Sequence, residues 1–196
     1  MNVVLVSKNS HKARELRRVL TGWKIETIDA VELPEERGET FYENARAKAR
    51  FGRKAVDPAA WVLGEDSGLE VDDLGGRPGI YSARYSGPAA TDDANVRKLL
   101  AELRREEAGE RRARYVCELV ALSPDGAEIR ARGTLLGRIA EEARGSGGFG
   151  YDPVFIPDGE SRTVAELGED WKTANSHRAR AAQALADALR TAARAL

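Results

Sequence analysis

Four stretches of this sequence combine residue types that could act on a phosphorylated substrate. The first is Ser7-Lys8-Asn9-Ser10-His11-Lys12, set between an apolar run at residues 2–6 and a helical pattern that starts near residue 10. A strand leading into a helix N-terminus offers backbone amides to an anion, and Ser, Asn and Lys side chains add further donors. The stretch suits phosphate, although the G-x-x-x-x-G-K-[ST] spacing of a Walker loop is missing. The plainer alternative is that Asn9 or Ser10 only caps the helix while the lysines face solvent.

The second stretch is acidic: Glu35 and Glu36 in a loop, Glu43 on a helix, and Glu65-Asp66 between Val62-Leu63 and Leu69. One or two carboxylates, completed by waters and substrate phosphates, are the usual holders of Mg²⁺. Asp66 is the leading candidate, because a carboxylate flanked by apolar residues is costly to desolvate unless a cation or several donors meet it. It could instead accept its neighbours' amides in a turn, and Glu43 reads more simply as a capping residue. The third stretch is Gly145-Ser146-Gly147-Gly148-Phe149-Gly150-Tyr151-Asp152-Pro153. Its glycines could bring Phe149 flat against a nucleobase, and stacking of this kind contributes roughly 1–3 kcal/mol. A Phe that merely plugs the core is the competing reading. The fourth is Lys172 with His177-Arg178 ahead of a C-terminal helix, where His and Arg can donate to a carbonyl oxygen.

The elements that must position these groups follow from periodicity. Residues 2–6 form an apolar run without alternation, as a strand covered on both faces does, and Leu16, Val19 and Leu20 carry a helix over residues 10–20. A second strand is predicted at Trp23 to Ile28. Thr40 and Glu43 have the form of a capping box, opening a helix that runs to about Ala55. Residues 61–64 and 68–71 read as strand pieces broken by an acidic turn at Glu65-Asp66-Ser67, followed by a Gly-rich loop to Gly79. A charged helix is predicted over 91–107. Strands at 114–122 and 128–139, joined by Ser123-Pro124-Asp125-Gly126, make an antiparallel hairpin. The chain closes with a helix from Ser176 to Leu196, whose stripe is Leu185, Leu189, Ala192 and Leu196. Strands that first alternate with helices and then run as a hairpin give an α/β fold, a mixed sheet with helices around it.

Composition narrows the function further. The 196 residues suit one domain, residues 1–196, rather than two full ones. Thirty-one Lys and Arg stand against 32 Asp and Glu, so no bulk charge is available to coat nucleic acid or a membrane. No apolar run approaches the roughly 18 residues of a membrane span, and the N-terminus lacks the features of a signal peptide, so a cytoplasmic protein is expected. Cys117 stands alone, which excludes an intrachain disulfide and a thiolate zinc site and suggests a buried, inert thiol. His11 and His177 form no spaced metal pair, leaving oxygen ligands for any metal.

Six blocks occur in order: Ser7-x-Asn9-x-x-Lys12, Phe41-x-Glu43-Asn44-Ala45-x-x-Lys48, Glu65-Asp66-Ser67-Gly68-Leu69, Leu74-Gly75-Gly76-x-Pro78-Gly79-Ile80-Tyr81-Ser82-Ala83-Arg84, Gly147 to Pro153, and Ser176-His177-Arg178. Together they closely resemble the inosine and xanthosine triphosphate pyrophosphatase family. The resemblance implies hydrolysis of deaminated purine nucleoside triphosphates such as ITP, dITP and XTP to the monophosphate and pyrophosphate. It also implies an elongated mixed α/β fold of two lobes with the site in the cleft between them, and a homodimer. Carried over position by position, Ser7, Lys8, Asn9, Ser10, His11, Lys12 and Lys48 would hold the triphosphate. Asp66 would be the proton acceptor and a Mg²⁺ ligand beside Ser67, and Phe149, Gly150, Tyr151, Asp152, Lys172, His177 and Arg178 would surround the purine and sugar. The second metal carboxylate falls in the acidic loop and is assigned to Glu35, with the adjacent Glu36 as the alternative. Lys8 stands where many relatives carry Gly. A related-fold pyrophosphatase acting on modified pyrimidine nucleotides, and a nucleotide sensor without catalysis, are the rival readings.

Overall fold

The computed structural model describes residues 1–29, 32–106 and 109–194, the last three by backbone alone. Six strands, β1 (Asn2–Val6), β2 (Lys24–Thr27), β3 (Trp61–Val71), β4 (Arg112–Leu122), β5 (Glu128–Ile139) and β6 (Phe155–Pro157), form a mixed sheet in the order β2-β1-β3-β4-β5-β6. The helices are α1 (Ser10–Val19), α2 (Phe41–Ala55), α3 (Asp92–Arg105), α4 (Val164–Asn175) and α5 (His177–Arg194). β1 is parallel to both β2 and β3, and β6 is antiparallel to β5. β4 and β5 are neighbours joined by a turn in which the Ser123 amide donates to the Ala127 carbonyl. That connection is far too short for a parallel crossover, so the predicted hairpin is present.

Two compact units divide the chain: Met1–Asp66 with Cys117–Gly133 and His177–Leu196, and Ser67–Val116 with Thr134–Ser176. In the first unit, strand alternation sorts side chains to two cores. Val3 and Leu5 of β1 and Leu63 of β3 pack with Leu16 of α1 and with Ala181 and Leu185 of α5. Val6 and Val62 point the other way and pack with Ala45 and Ala49 of α2. With both faces covered, β1 has no polar side, which is why its sequence lacks alternation. The chain leaves β1 through α1 toward β2 and returns through α2, on the opposite face, to β3 on the other side of β1. This reversal creates a topological switch point beyond the C-terminal ends of β1 and β3, the place where open α/β sheets bind ligands. Val6 is in register with Gly64, so Ser7 leaves the sheet beside Glu65 and Asp66.

Close helix approach is built in by glycine. A Cβ on Gly64 would lie 1.9 Å from the Ala45 carbonyl oxygen and 2.7 Å from the Ala49 amide of α2. A Cβ on Gly133 would lie 2.0 Å from the His177 carbonyl oxygen at the start of α5. The second unit has its own core, including Leu69, Leu99, Leu103, Leu135 and the Tyr115 and Phe155 rings, tilted 38° to each other with centroids 4.5 Å apart.

Several expectations are corrected. β3 is one strand from Trp61 to Val71, with no turn at Glu65-Asp66-Ser67, because buried cations neutralise the acids where they stand. Two short 3₁₀ segments, Asp72–Leu74 and Gly79–Arg84, occupy the loop that follows. α4 was not anticipated, since Gly168, at φ +84°, interrupts its helical signal. The closing helix begins at His177, after the break at Ser176, and Leu185 and Leu189 pack as the stripe predicted. Ala192 is described by backbone alone, and Leu196, like Glu107 at the end of the predicted 91–107 helix, lies outside the described residues.

Substituting Gly64→Ala is expected to force α2 from the sheet, costing about 1–3 kcal/mol or more. Thermal denaturation should show a midpoint lowered by roughly 2–12 °C.

Candidate active site

The strand-to-helix turn after β1 is organised by its own side chains. The Ser7 hydroxyl accepts from the Asn9 amide at 3.1 Å. Asn9 is the N-cap of α1, its Oδ1 accepting from the amides of His11 at 3.0 Å and Lys12 at 3.2 Å. The capping reading of Asn9 therefore holds, and the anion-binding capacity of the turn shifts toward its cations. Lys8, Ser10 and His11 are exposed, with His11 Nδ1 3.4 Å from Arg14, while Lys12 is partly buried.

Neighbouring residues of a strand point to opposite faces, and this separates the two adjacent acids. Glu65 faces α1 and α5. Its carboxylate meets Lys12 Nζ at 2.7 Å and the Arg178 Nε and Nη2 at 3.2 Å each, and it accepts from the Cys117 thiol at 3.6 Å. Arg178, 2% exposed, also pairs with Glu15 of α1. Burial opposes the Glu65 charge, but Lys12, Arg178 and Lys48 outweigh it and hold the carboxyl well below its ordinary range. Cys117 is buried, as expected, and burial reinforced by Glu65 pushes its thiol well above the ordinary range.

Asp66 faces α2. Lys48 lies on the helix turn that Gly64 admits, and its ammonium donates to Asp66 Oδ1 at 2.9 Å and to the Glu65 carbonyl at 3.1 Å. The same ammonium meets Glu36 Oε1 at 2.6 Å. Burial raises the Asp66 carboxyl above its ordinary value, and Lys48 and Lys12 offset only part of that rise. Burial opposes the Lys48 charge, yet Asp66 and Glu36 keep its pKa above the ordinary value. The acidic-loop carboxylate that reaches this centre is Glu36. Glu35, expected as the second metal carboxylate, is exposed and paired with Arg37 at 2.6 Å. Glu43 closes the α2 capping box, as its simpler reading had it.

In the second unit the Gly-rich stretch is a tight loop around Asp152. The Asp152 carboxylate accepts from the Phe149 amide at 2.9 Å, from Lys172 Nζ at 2.8 Å and from the Tyr115 hydroxyl at 3.3 Å. Gly148, at φ +76°, leaves room for it, since a Cβ there would lie 2.1 Å from Asp152 Oδ2. Lys172 Nζ sits 4.5 Å from the Phe149 ring centroid, within cation–π range. Phe149 is partly exposed and stands outside the core clusters, so it is not a core plug. Gly150 donates to Asp92 of α3 at 2.6 Å, and the Tyr151 hydroxyl to the Ser82 carbonyl at 2.8 Å.

The structure thus joins Lys12 to Glu65, Lys48 to Asp66, and Phe149 to Asp152 and Lys172. Ser67 follows Asp66 in β3 and is half-buried, and His177 is buried at the start of α5. Sequence reasoning missed Glu15, Asp92 and the Arg178–Glu65 pairing. The last has no local signal, since Arg178 and Glu65 are 113 residues apart in the chain.

Whether these residues could hold Mg²⁺ can be judged from the donors present. Asp66 and Glu36 bring two carboxylates to one point, and their all-oxygen chemistry suits a hard cation that keeps its remaining positions for water and phosphate. Among the described residues no cluster of three or more His, Cys, Asp or Glu forms a complete protein cage, and no helix is long and apolar enough to cross a membrane.

Paired carboxylates and lysines at the switch point of a mixed α/β sheet are the equipment of a phosphate-handling enzyme. The chain belongs to the Ham1 family, whose model matches residues 3–188. It is 46% identical over 194 residues to a dITP/XTP pyrophosphatase of Salmonella typhimurium, covering 96% of this chain and 98% of that one. A dITP/XTP pyrophosphatase of Methylococcus capsulatus is 47% identical over 195 residues, 96% of each chain. The solved HAM1 protein of Coxiella burnetii superposes with a TM-score of 0.87 at 36% identity, covering 97% of this chain and 99% of that one.

Glu65→Gln is expected to cost about 3–5 kcal/mol at neutral pH, since Arg178 and Lys12 lose their shared anion. A carboxyl whose folded pKa is depressed adds stability above its unfolded pKa, near 4.5, and loses it as pH falls. The gap between wild-type and variant melting temperatures should therefore narrow as pH drops from about 5 to 3.

Proposed function

We propose that this chain hydrolyses deaminated purine nucleoside triphosphates, namely ITP, dITP and XTP, to the nucleoside monophosphate and pyrophosphate. The observation that carries the reading is the Asp66–Lys48–Glu36 centre beside the Lys12 turn at the switch point, in a chain that matches dITP/XTP pyrophosphatases over nearly its whole length. Lys12 and Lys8, with the hydroxyls of Ser7 and Ser10, Asn9 and His11, form the triphosphate-facing turn, and Lys48 contributes from α2. Asp66 orients a water for attack on the α-phosphorus and accepts its proton. The new bond joins that water oxygen to phosphorus as the bond from phosphorus to the bridging oxygen breaks, and the electron pair leaves with pyrophosphate. A buried carboxylate of raised pKa is a stronger base than an exposed one, which suits this role.

Asp66 and Glu36 are the residues that would hold Mg²⁺. When bound, the ion supplies charge stabilisation to the phosphate oxygens and the departing pyrophosphate. The lysines add to that stabilisation from fixed positions. Arg178 acts through Glu65: it holds the carboxylate that in turn holds Lys12.

Base recognition falls to the Phe149 loop, Gly150 to Asp152 and Lys172, and by the resemblance His177 is a further substrate-binding residue. One face of the Phe149 ring meets Lys172, and stacking on such a ring is sequence-tolerant, so selectivity must come from the base edge. Hypoxanthine and xanthine present a 6-oxo acceptor and an N1–H donor, whereas adenine presents the reverse. Donors aimed at O6 leave buried groups unpaired against ATP, a mismatch able to discriminate by up to roughly 10⁴ to 10⁵. Residues 1–196 act as one functional domain, the homodimer follows from the resemblance, and the cytoplasmic setting remains an expectation from the sequence.

The deciding experiment is turnover of ITP, XTP, GTP, ATP and dUTP side by side with pyrophosphate detection. ITP and XTP should dominate. Preference for dUTP would mark a pyrimidine enzyme, and Mg²⁺-dependent ITP binding without pyrophosphate release a sensor. Asp66→Asn should lower turnover below about a tenth of wild type while leaving the melting transition in place. Phe149→Ala should raise KM for ITP far more than it alters the melting temperature. An unchanged KM with a large loss of stability would return Phe149 to a packing role.

A further inference from the structure

Asn44 stands one helical turn before Lys48 on α2, 1% exposed, and none of the roles described above uses it. Its two amide atoms face two different elements. Nδ2 donates to Asp66 Oδ2 at 3.2 Å, and Oδ1 accepts from the Gly38 amide at 2.8 Å. Chemistry fixes that orientation, because a backbone N–H can only donate and a carboxylate can only accept. Gly38 lies two residues beyond Glu36 and fits tightly: a Cβ there would lie 2.7 Å from Asn44 Oδ1.

Residues four apart on a helix share a face, so Asn44 and Lys48 form two parallel rungs. Each rung supplies a donor to one oxygen of Asp66, and each also holds the acidic loop, Lys48 through the Glu36 carboxylate and Asn44 through the Gly38 backbone. The rungs are not equivalent. An ammonium is a point charge that tolerates many approach angles, whereas a planar amide bonded at both ends fixes direction. The amide also carries no net charge, so it depresses the Asp66 basicity less than a second cation would.

We propose that Asn44 is a positioning residue for hydrolysis, clamping the Asp66 carboxylate and the Glu36-bearing loop in one mutual geometry. The proposal rests on the reading of Asp66 as proton acceptor, and it predicts a defect in turnover rather than in substrate affinity.

Two variants separate the rungs. Asn44→Ala removes both bonds. Asn44→Asp keeps the shape and the acceptor for Gly38 but turns a carboxylate oxygen toward Asp66. Kinetics with ITP are paired with amide hydrogen exchange of the 35–39 segment, read by mass spectrometry. For Asn44→Ala, kcat should fall at least about tenfold with KM changed less than about threefold. Exchange at Gly38 should quicken by about fivefold or more. For Asn44→Asp, protection at Gly38 should persist while kcat still falls. Wild-type kcat in either folded variant, or full recovery of kcat in Asn44→Asp, would overturn the proposal. If the wild-type chain released no pyrophosphate from ITP, the functional reading would fail instead. Exchange would then decide the clamp by itself: unchanged protection at Gly38 in Asn44→Ala overturns it, and faster exchange sustains it.

Discussion

Two adjacent carboxylates, Glu65 and Asp66, are buried in the middle of β3, and the rest of the first unit is arranged so that they can stay there. An unpaired buried carboxylate would protonate or unfold the strand. Here the alternation of the strand sends one acid to each face, and each face provides its own cations: Lys12 and Arg178 from α1 and α5, Lys48 from α2. The two acids are left in different electrostatic states. Glu65, gripped by several cations, is fixed as an anion and serves as an anchor. Asp66, whose desolvation is only partly offset, has its carboxyl held above the ordinary value.

That arrangement depends on distance more than on charge. A lysine reaches a buried carboxylate only if its helix lies nearly against the strand, and Gly64 with Ala45 and Ala49 allows α2 that approach. Gly133 does the same for the first turn of α5, which carries His177 and Arg178. The apolar packing and the polar centre are thus set by the same contacts, so a methyl group added at the packing site displaces the chemistry as well.

Much of the first unit was legible because its signals are local. An apolar run, a capping box and a hairpin turn each name an element within a few residues, and β1, α2 and the β4–β5 pair stand where those signals put them. Glu65-Asp66-Ser67 misled because a pair of acids ordinarily marks a turn. What keeps them in a strand is Lys12, Lys48 and Arg178, which are distant in sequence and invisible to periodicity. Which of Glu35 and Glu36 meets Lys48 was undecidable for the same reason, since the partner lies on α2, distant in sequence. α4 was missed because Gly168 breaks its pattern, although Thr163 and Glu166 had supplied a second capping box.

The second unit repeats one physical device with a different outcome. Asp152, like Asp66, is buried and holds a lysine, and it also fixes the Phe149 amide, so one carboxylate sets both the ring and the ammonium over it. In the first unit the lysine meets an acid whose carboxyl is still held above its ordinary value by burial. In the second the acid is fully occupied by donors, and the groups it presents are the lysine and the ring. The difference lies in how many donors each acid receives and from which elements. The same residue pair, Asp with Lys, is thus completed by a side-chain amide from α2 in one unit and by a backbone amide and a tyrosine hydroxyl in the other.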